Sequence, residues 1–361
     1  KHGIKLVLGY TVEGFKEKDN GVEVLLKDNP SLQADMVVLA IGVTPDTALA
    51  KEAGLELGIK GSIVVNDRME TSVPDIYAAG DAVQVKHYVT GDDALISLAG
   101  PANKQGRIIA DNICGGDSHY LGSQGSSVIK VFDMTAATTG INETNAKKSG
   151  LDVDTVILSP MSHAGYYPGG KVMTMKVVFE KETYRLLGAQ IIGYEGVDKR
   201  IDVLATAIHA GLKATQLKDL DLAYAPPYSS AKDPVNMAGF MIDNIAKGTL
   251  KQWHLEDMDK ISRDKSVVLL DVRTVGEFNR GHMDGFKNIP VDELRERINE
   301  IEKGKPVYLI CQSGLRSYIA SRILEGNGYE TYNFSGGFRF YDAVVNDRAL
   351  IERAYACGMD Y

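Results

Sequence analysis

The sequence predicts an α/β protein with several domains, and three observations support this. Its 361 residues are enough for two or three hydrophobic cores, and 44% hydrophobic with 24% charged residues is typical of globular proteins. After about residue 250, short apolar runs alternate with helical patterns, which predicts a small domain with a parallel sheet. Between about residues 125 and 245, strands are followed by helices, which predicts an α+β domain.

The first region, up to about residue 115, contains three apolar runs and a helix. Residues 34–42, "ADMVVLAIG", have the length and composition of a short, fully buried strand. Residues 61–67 and 75–81 are predicted to form two further strands. The segment "GPANKQGRIIADNICGG" predicts a helix with Pro101 in its first turn and Gly115 as its stop.

The second region predicts a hairpin followed by two helices. The runs "KVMTMKVVFE" and "RLLGAQIIG" have the pattern of neighbouring strands. In "VDKRIDVLATAIHAG", helical spacing puts Ile201, Leu204, Ala205 and Ile208 on one face. The segment "DPVNMAGFMIDNIAKG" predicts another helix, with Pro234 near its start.

The third region predicts the alternation of a parallel α/β domain. Residues 267–273, "VVLLDVR", and 307–311, "VYLIC", read as buried strands. Between them, residues 292–304, "DELRERINEIEKG", predict an exposed helix.

Charge and cysteine content limit which partners and which cellular compartment we expect for the protein. A net charge of −8 argues against nucleic acid and anionic membranes as partners, and no run of about 18 apolar residues predicts a transmembrane helix. Cys114, Cys311 and Cys357 share no short spacing of the metal or disulfide kind, so we expect no metal site and a reducing, cytoplasmic location. Because the sequence starts at Lys1 without methionine, we expect a fragment of a longer protein.

The stretch "CQSGLRS" places Cys311 where a predicted strand turns into a helix. Ligands bind at the carboxyl ends of parallel strands, and a Gly314 turn would aim backbone N–H groups at the sulfur. The helix N-terminus and Arg316 would add positive charge, so the loop is expected to favour the thiolate. The alternative is a buried cysteine at a strand end without chemistry. The loop's other candidate residues are Gln312, Ser313, Leu315 and Ser317.

With "LLDVRTVGEFNRGHMDGFKNIP" (269–290) upstream, residues from about 255 to 345 resemble the rhodanese family. Phosphatases with a cysteine–arginine loop have a longer gap than the four residues between Cys311 and Arg316, so the gap favours sulfur over phosphate chemistry. The resemblance implies that Cys311 is a nucleophile that accepts sulfane sulfur. Arg273 either orients donor anions or pairs with Asp271 structurally, and we expect His282 to be structural.

The segment "ETSVPDIYAAGDAV" (70–83) resembles the second flavin-binding motif of FAD-dependent pyridine nucleotide-disulfide oxidoreductases. The resemblance implies that Asp81, after Gly80, binds the ribityl chain of FAD. "VVLAIGVTPD" (37–46) resembles the return from the NAD(P)H-binding domain, which would place Gly42 near the nicotinamide. "SLAGPANKQGRIIADNI" (97–113) is similar to the helix that points at the flavin, with free N–H groups near Ala99 and Ala102.

Residues 121–248 resemble that family's dimerisation domain, which implies a homodimer. The segments "HAGYYPGG" (163–170) and "LAYAPPYSSAKDPVNMAGF" (222–240) hold tyrosines where another branch has a histidine–glutamate pair. This is similar to the branch of coenzyme A-disulfide and persulfide reductases. We expect Tyr166 and Tyr224 to assist sulfur chemistry, with Tyr167 and Tyr228 shaping the site. All four tyrosines could instead be structural caps.

We therefore expect four segments. They are the end of a partial Rossmann-like NAD(P)H-binding domain (1–45), the C-terminal part of an FAD-binding domain (46–120), the dimerisation domain (121–248) and a rhodanese-like domain (249–361). The expected function is NAD(P)H- and FAD-dependent reduction of coenzyme A disulfide or persulfide, with sulfur transfer through Cys311. A stand-alone sulfurtransferase and an NADH oxidase or peroxidase are the alternatives. The branch's N-terminal redox cysteine is not found, and neither Cys114 nor Cys357 convincingly replaces it.

Overall fold

The structure is a computed structural model that describes residues 3–345. A large unit spans Pro45–Tyr341, and the described residues outside it, 3–44 and 342–345, belong to a second unit. Among the described residues, no helix has both the length and the apolar character needed to cross a membrane. Cys357 lies outside the described residues.

Residues 3–44 contain a three-stranded antiparallel sheet. Its strands are β1 (Val12–Lys18), β2 (Gly21–Leu26) and β3 (Asn29–Ala34). The prediction of a buried strand over 34–42 is wrong, because residues 35–42 are irregular and Ile41 is 90% exposed. An apolar run forms a buried strand only beside partner strands, and no described residue of this unit forms a strand pair with residues 35–42.

The next part, up to about residue 120, contains a small sheet and one long helix. Helix α1 (Ala48–Glu52) precedes β4 (Ile63–Val64), β5 (Val83–Lys86) and β6 (Asp93–Ala94), which pair in the order β4-β5-β6, and α2 (Ala99–Ile113) follows. The strand predicted within 61–67 is confirmed as the short β4. The helix with Pro101 in its first turn is also confirmed, and Gly115 ends it with a φ of +88°.

The strand predicted over 75–81 is wrong. Tyr77 makes a single bridge with Glu70, and Gly80–Ala82 forms a 3₁₀ turn before β5 begins. Asp75 and Gly80 have φ angles of +65° and +83°, which interrupt an extended chain. The strand therefore follows the Gly–Asp pair instead of leading to it.

The second region is a five-stranded antiparallel sheet packed against helices, as predicted. Its order is β7-β8-β11-β10-β9, and the predicted hairpin is formed by β10 and β11. Ile201, Leu204 and Ile208 on α4 are buried against this sheet. The elements are β7 (Ser127–Val131), β8 (Met134–Gly140), α3 (Glu143–Lys148), β9 (Val153–Leu158), β10 (Thr174–Glu180), β11 (Leu186–Gly193), α4 (Val197–His209) and α5 (Pro234–Ala246).

The third region is a five-stranded parallel sheet in the order β12-β16-β15-β13-β14, which confirms the predicted α/β domain. Two apolar clusters form its core. Its elements are β12 (Gln252–Trp253), α6 (Met258–Ile261), β13 (Val268–Asp271), α7 (Val275–Asn279), β14 (Lys287–Asn288), β15 (Val307–Ile310), α8 (Leu315–Glu325) and β16 (Thr331–Phe334).

The predicted exposed helix over 292–304 is wrong. Consecutive turns occupy this segment, with a 3₁₀ turn at Ile298–Glu300. The amide of Leu294 donates to the carbonyl of Val291, three residues back, and this tighter winding recurs along the segment. Leu294 and Ile301 are thereby both buried in the core, which a regular helix with an exposed face would not require.

Candidate functional site

Cys311 lies at the carboxyl end of β15, in the loop between this strand and α8. Its side chain is 1% exposed. Gly314 precedes α8 with a φ of +97°, a left-handed conformation that glycine adopts at little cost. The strand, the glycine turn and the helix therefore occur in the predicted order.

Two donors contact the sulfur of Cys311. The amide of Gly314 donates to Sγ at 3.1 Å, and the hydroxyl of Ser317 lies 3.2 Å from Sγ. The Ser317 hydroxyl can alternatively donate to the Gly314 carbonyl at 3.1 Å, so its single hydrogen has two acceptors. The expectation of several converging amides is corrected to one amide and one hydroxyl.

Arg316 is held in an ion pair at the rim of the loop. Its Nη1 and Nη2 lie 2.7 and 2.8 Å from the carboxylate oxygens of Glu277 on α7. The hydrogen bond from Arg316 lowers the pKa of Glu277 to about 2, and the same bond raises the pKa of Arg316. Arg316 thus brings a cation paired with a carboxylate to the loop, where the sequence predicted a fixed positive charge.

Glu277 and Asn333 were missed as site residues by the sequence analysis. Glu277 forms a capping box with Thr274. The Thr-x-x-Glu spacing could have predicted that Glu277 lies in the first turn of a helix, but it could not have predicted the ion pair with Arg316. The side-chain amide of Asn333 on β16 donates to the Gly314 carbonyl at 3.1 Å. Asn333 had no signal, since the contact depends on how strands pair across the sheet.

Arg273 and His282 have structural contacts. The guanidinium of Arg273, 1% exposed, pairs with the buried carboxylate of Asp271 at 2.6 Å and donates to the Gly281 carbonyl at 2.8 Å. These contacts favour the structural alternative for Arg273 over its assignment to the anion-binding loop. His282 lies 3.1 Å from the Phe278 carbonyl and stacks on its ring.

The other loop residues form the wall of the site. The carbonyl of Gln312 accepts from the amide of Arg339 at 3.1 Å. The backbone of Ser313 packs against Gly337, where a Cβ would lie 2.6 Å from the Ser313 nitrogen. Leu315 is 66% exposed at the rim.

A second cluster joins two tyrosine loops of the α+β domain. The hydroxyls of Tyr166 and Tyr224 lie 2.5 Å apart, although the residues are 58 positions apart in the chain. Both side chains are exposed, and the hydrogen bond to Tyr166 raises the pKa of Tyr224. Tyr228 and Tyr224 line a cleft of 590 Å³, whereas Tyr167 packs edge-on against His163.

A buried arginine connects the two tyrosine loops. Arg200 on α4 donates to the carbonyl of Ser162 at 2.9 Å in the first loop and lies 3.2 Å from the Ser229 hydroxyl in the second. Its charge is paired with the buried carboxylate of Asp233, which caps α5. Both loops are therefore held by one charged network.

The Gly80–Asp81 turn lies beside the start of α2. A Cβ on Gly80 would lie 4.0 Å from the Cβ of Ala102, and the carboxylate of Asp81 is exposed. Helix α2 begins at Ala99 without a side-chain cap. The amide of Ala102 donates to the Leu98 carbonyl at 3.2 Å, so the expected free N–H there is corrected.

The remaining candidates lie elsewhere. Gly42 has a φ of +95° and belongs to the unit of residues 3–44. Cys114 is exposed and follows the end of α2.

Three family descriptions match successive parts of the chain. "Pyridine nucleotide-disulphide oxidoreductase" matches residues 1–106, and the dimerisation domain of the same family matches 126–234. "Rhodanese-like domain" matches 254–343.

Curated relatives include a CoA-dependent NAD(P)H sulfur oxidoreductase of Pyrococcus abyssi, 39% identical over 65% of this chain and 52% of its own length. A coenzyme A disulfide reductase of Staphylococcus aureus is 37% identical over 61% of this chain and 50% of its own length. The chain therefore spans about half the length of these relatives.

Two solved structures are similar over almost the whole chain. Reduced CoADR-RHD of Bacillus anthracis has a TM-score of 0.90 and 46% identity, and the match covers 94% of this chain and 60% of that one. An NAD-dependent persulfide reductase of A. fulgidus has a TM-score of 0.83 and 41% identity, covering 92% and 61%.

Proposed function

Because the chain belongs to the pyridine nucleotide-disulphide oxidoreductase family and carries a rhodanese-like domain, we propose that it serves the NAD(P)H- and FAD-dependent reduction of coenzyme A persulfide or disulfide. Cys311 would carry sulfane sulfur for this reaction. The observation that carries the proposal is the Cys311 sulfur, which has an amide and a hydroxyl donor in a loop of the sulfurtransferase type. The names of the similar proteins support the same substrate class.

Cys311 acts as a nucleophile in the proposed transfer. Its thiolate attacks the sulfane sulfur of a donor such as thiosulfate, a new S–S bond forms, and sulfite leaves with the electron pair of the broken S–S bond. An acceptor thiolate then attacks the outer sulfur of the persulfide, and Cys311 leaves as a thiolate. Gly314 N–H and the Ser317 hydroxyl stabilise the sulfur anion at both ends of the cycle.

Tyr166 and Tyr224 are proposed to assist at a second sulfur centre. Their paired, exposed hydroxyls can donate a hydrogen bond to a thiolate or a proton to a leaving sulfur. We propose a homodimer through residues 121–248, in which these tyrosines serve the partner subunit's site. The matched dimerisation domain supports this arrangement.

The residues around Gly80 fit part of an FAD site. A side chain on Gly80 would fill the space beside Ala102, so glycine keeps the backbone accessible to a flat ligand. Asp81 would accept hydrogen bonds from the ribityl hydroxyls, and the first amides of α2 would face the flavin pyrimidine ring. FAD, when bound, supplies the electron transfer from NAD(P)H.

The sulfur-transfer part is tested on the 361-residue chain. We expect transfer of sulfur from thiosulfate or a persulfide to a thiol acceptor, and we expect Cys311→Ser to abolish it. A transfer rate that Cys311→Ser leaves intact would refute Cys311 as the carrier.

The reductase part of the proposal is tested on the natural full-length protein. NADH consumption should depend on coenzyme A persulfide or disulfide, with oxygen as the control acceptor. NADH consumption with oxygen alone, unchanged by persulfide and by Cys311→Ser, would favour an NADH oxidase instead.

A further inference from the structure

The rhodanese-like domain has a cleft beside α8. This cleft has a volume of 540 Å³ and lies between α8 and the turns at 291–300. Its walls combine aliphatic, aromatic and cationic side chains, which include Arg295, Ile298, Tyr318, Ile319, Arg322 and Ile323.

An apolar stripe on α8 connects the Cys311 loop with the cleft. Leu315, Ile319 and Ile323 follow at intervals of four residues and therefore lie on one face of the helix. Leu315 belongs to the Cys311 loop and is 66% exposed, and Ile319 is 43% exposed. From Leu315 to Ile323 the helix rises about 12 Å, a span suited to a long thin arm and not to a small thiol.

The cleft also offers an unpaired positive charge. Arg322 donates to the Thr249 carbonyl at 3.0 Å and pairs with Glu325, so its charge is already matched. Arg295 is exposed and makes no hydrogen bond or ion pair with any residue in the described range 3–345. An unpaired arginine is suited to a phosphate, and the half-buried ring of Tyr318 offers a face for a planar base.

We propose that α8 and this cleft bind a nucleotide-bearing thiol of the coenzyme A class. Its thiol reaches the Cys311 loop, its arm lies along Leu315 and Ile319, and a phosphate contacts Arg295. The length of the stripe, its continuity with the loop and the charge of the cleft argue for this occupant. The inference rests on the proposed function, since the bound thiol is the acceptor of the Cys311 sulfur.

The chemical step follows from this arrangement. The thiolate of the bound carrier attacks the outer sulfur of the Cys311 persulfide and forms a new S–S bond. The bond between the two persulfide sulfurs breaks, and its electron pair stays on Cys311 as a thiolate. The product is the carrier persulfide, which is a substrate for the proposed reductase.

The test compares coenzyme A with pantetheine, which has the same thiol arm but no nucleotide. The chain is loaded with sulfur from thiosulfate, and transfer to each acceptor is measured for wild type, Arg295→Ala and Arg297→Ala. We expect Arg295→Ala to raise the KM for coenzyme A about five- to tenfold, with kcat and pantetheine transfer unchanged. Arg297 is the matched control because Glu293 and Glu300 already pair with it outside the cleft.

Ile319→Asp tests the proposed contact between α8 and the thiol arm of the ligand. It should raise the KM for both coenzyme A and pantetheine but not for dithiothreitol. If wild type used coenzyme A and pantetheine with equal KM, or if Arg295→Ala and Arg297→Ala behaved alike, the nucleotide site would be refuted while Cys311 could still be the carrier.

Calorimetric titration of coenzyme A into the protein measures the affinity of the site without any sulfur transfer. Weaker binding by Arg295→Ala than by Arg297→Ala supports the site, even if no acceptor receives sulfur and the proposed function fails. Equal binding by the two variants overturns it.

Discussion

At the residue scale, the sulfur of Cys311 has few polar contacts. A buried sulfur anion has lost its water and needs hydrogen bonds in return. The Gly314 amide is fixed by the backbone, whereas the Ser317 hydroxyl can turn between Sγ and the Gly314 carbonyl. An anionic sulfur attracts this hydroxyl more strongly than a neutral thiol, so Ser317 responds to the charge of the site.

Ser317→Ala should therefore reduce the reactivity of Cys311. Loss of one hydrogen bond to a charged group costs about 1.5–3 kcal/mol, so iodoacetamide alkylation at neutral pH should slow about tenfold or more. Ser321→Ala is the control, because its hydroxyl bonds to the Tyr318 carbonyl on the same helix without touching the sulfur. Equal alkylation rates in the two variants would contradict the assigned role of Ser317.

The Glu277–Arg316 pair predicts a pH dependence of stability. The folded-state pKa of Glu277 is about 2, below its ordinary value of 4.5. The pair therefore contributes its full stability above about pH 4.5 and loses it as the pH falls toward 2.

In denaturant unfolding, Glu277→Gln should be less stable than wild type by about 1–2 kcal/mol at pH 7. This difference should shrink as the pH falls from 4.5 to 2. A difference that stays constant across this range would show that the carboxylate charge is not what stabilises the loop.

At the element scale, the tyrosine loops depend on one buried network. Arg200 and Asp233 are both nearly inaccessible, and the pair connects α4, the N-terminus of α5 and the two loops. A buried charge that loses its partner is costly, so the network fixes the loops more firmly than surface contacts would.

Asp233→Asn tests this network, since asparagine keeps the capping ability at the start of α5 but removes the charge. We expect a loss of about 3–5 kcal/mol in the free energy of unfolding. Lys199 also approaches Asp233, at 3.9 Å, but its side chain is 37% exposed and the distance is long, so Lys199→Ala should change stability by less than about 0.5 kcal/mol. Similar losses in both variants would contradict the central role of Arg200.

The elements that the sequence predicted correctly have start, stop or composition signals within their own residues. Helix α2 has a proline at its start and a glycine at its stop, and β15 is an apolar run that ends at Cys311. The predictions for residues 34–42 and 292–304 are wrong because the burial of these segments depends on contacts with residues that are distant in the sequence. The sequence of an apolar run does not show which strands will pair with it. The spacing of apolar residues around Leu294 fits a helix and a series of turns equally well, and the structure buries Leu294 with turns.

The same limit applies to the candidate site. The Cys311 loop followed from a local pattern of strand, glycine and helix. The pairs Arg316–Glu277 and Gly314–Asn333 join residues 39 and 19 positions apart, and such contacts arise only when the sheet and helices pack.

At the scale of the whole large unit, the rhodanese-like domain covers an edge of the five-stranded antiparallel sheet formed by β7 to β11. Strand β9 is an edge strand, and its Ile157 amide donates to the Ser335 hydroxyl at 3.0 Å. The Thr155 carbonyl accepts from the Gln252 side chain at 2.8 Å. These contacts satisfy backbone groups that an open edge would expose to other chains.

Ser335 also begins the loop that supports Cys311. Two residues later, Gly337 packs against the backbone of Ser313, and the amide of Phe338 donates to the Cys311 carbonyl at 2.8 Å. The short segment 335–338 thus contacts both the five-stranded antiparallel sheet and the Cys311 loop, so the packing of the two domains and the order of the Cys311 loop should be coupled.

Ser335→Ala tests this coupling by leaving the buried Ile157 amide without an acceptor, at a cost of about 1–3 kcal/mol. Hydrogen exchange should become faster at Ile157 and at the amides of Ser313 and Gly314. Ser266→Ala, which removes an exposed hydroxyl bonded to Asp264, should change neither. Faster exchange at Ile157 alone would mean that the domains share an edge without transmitting order to Cys311.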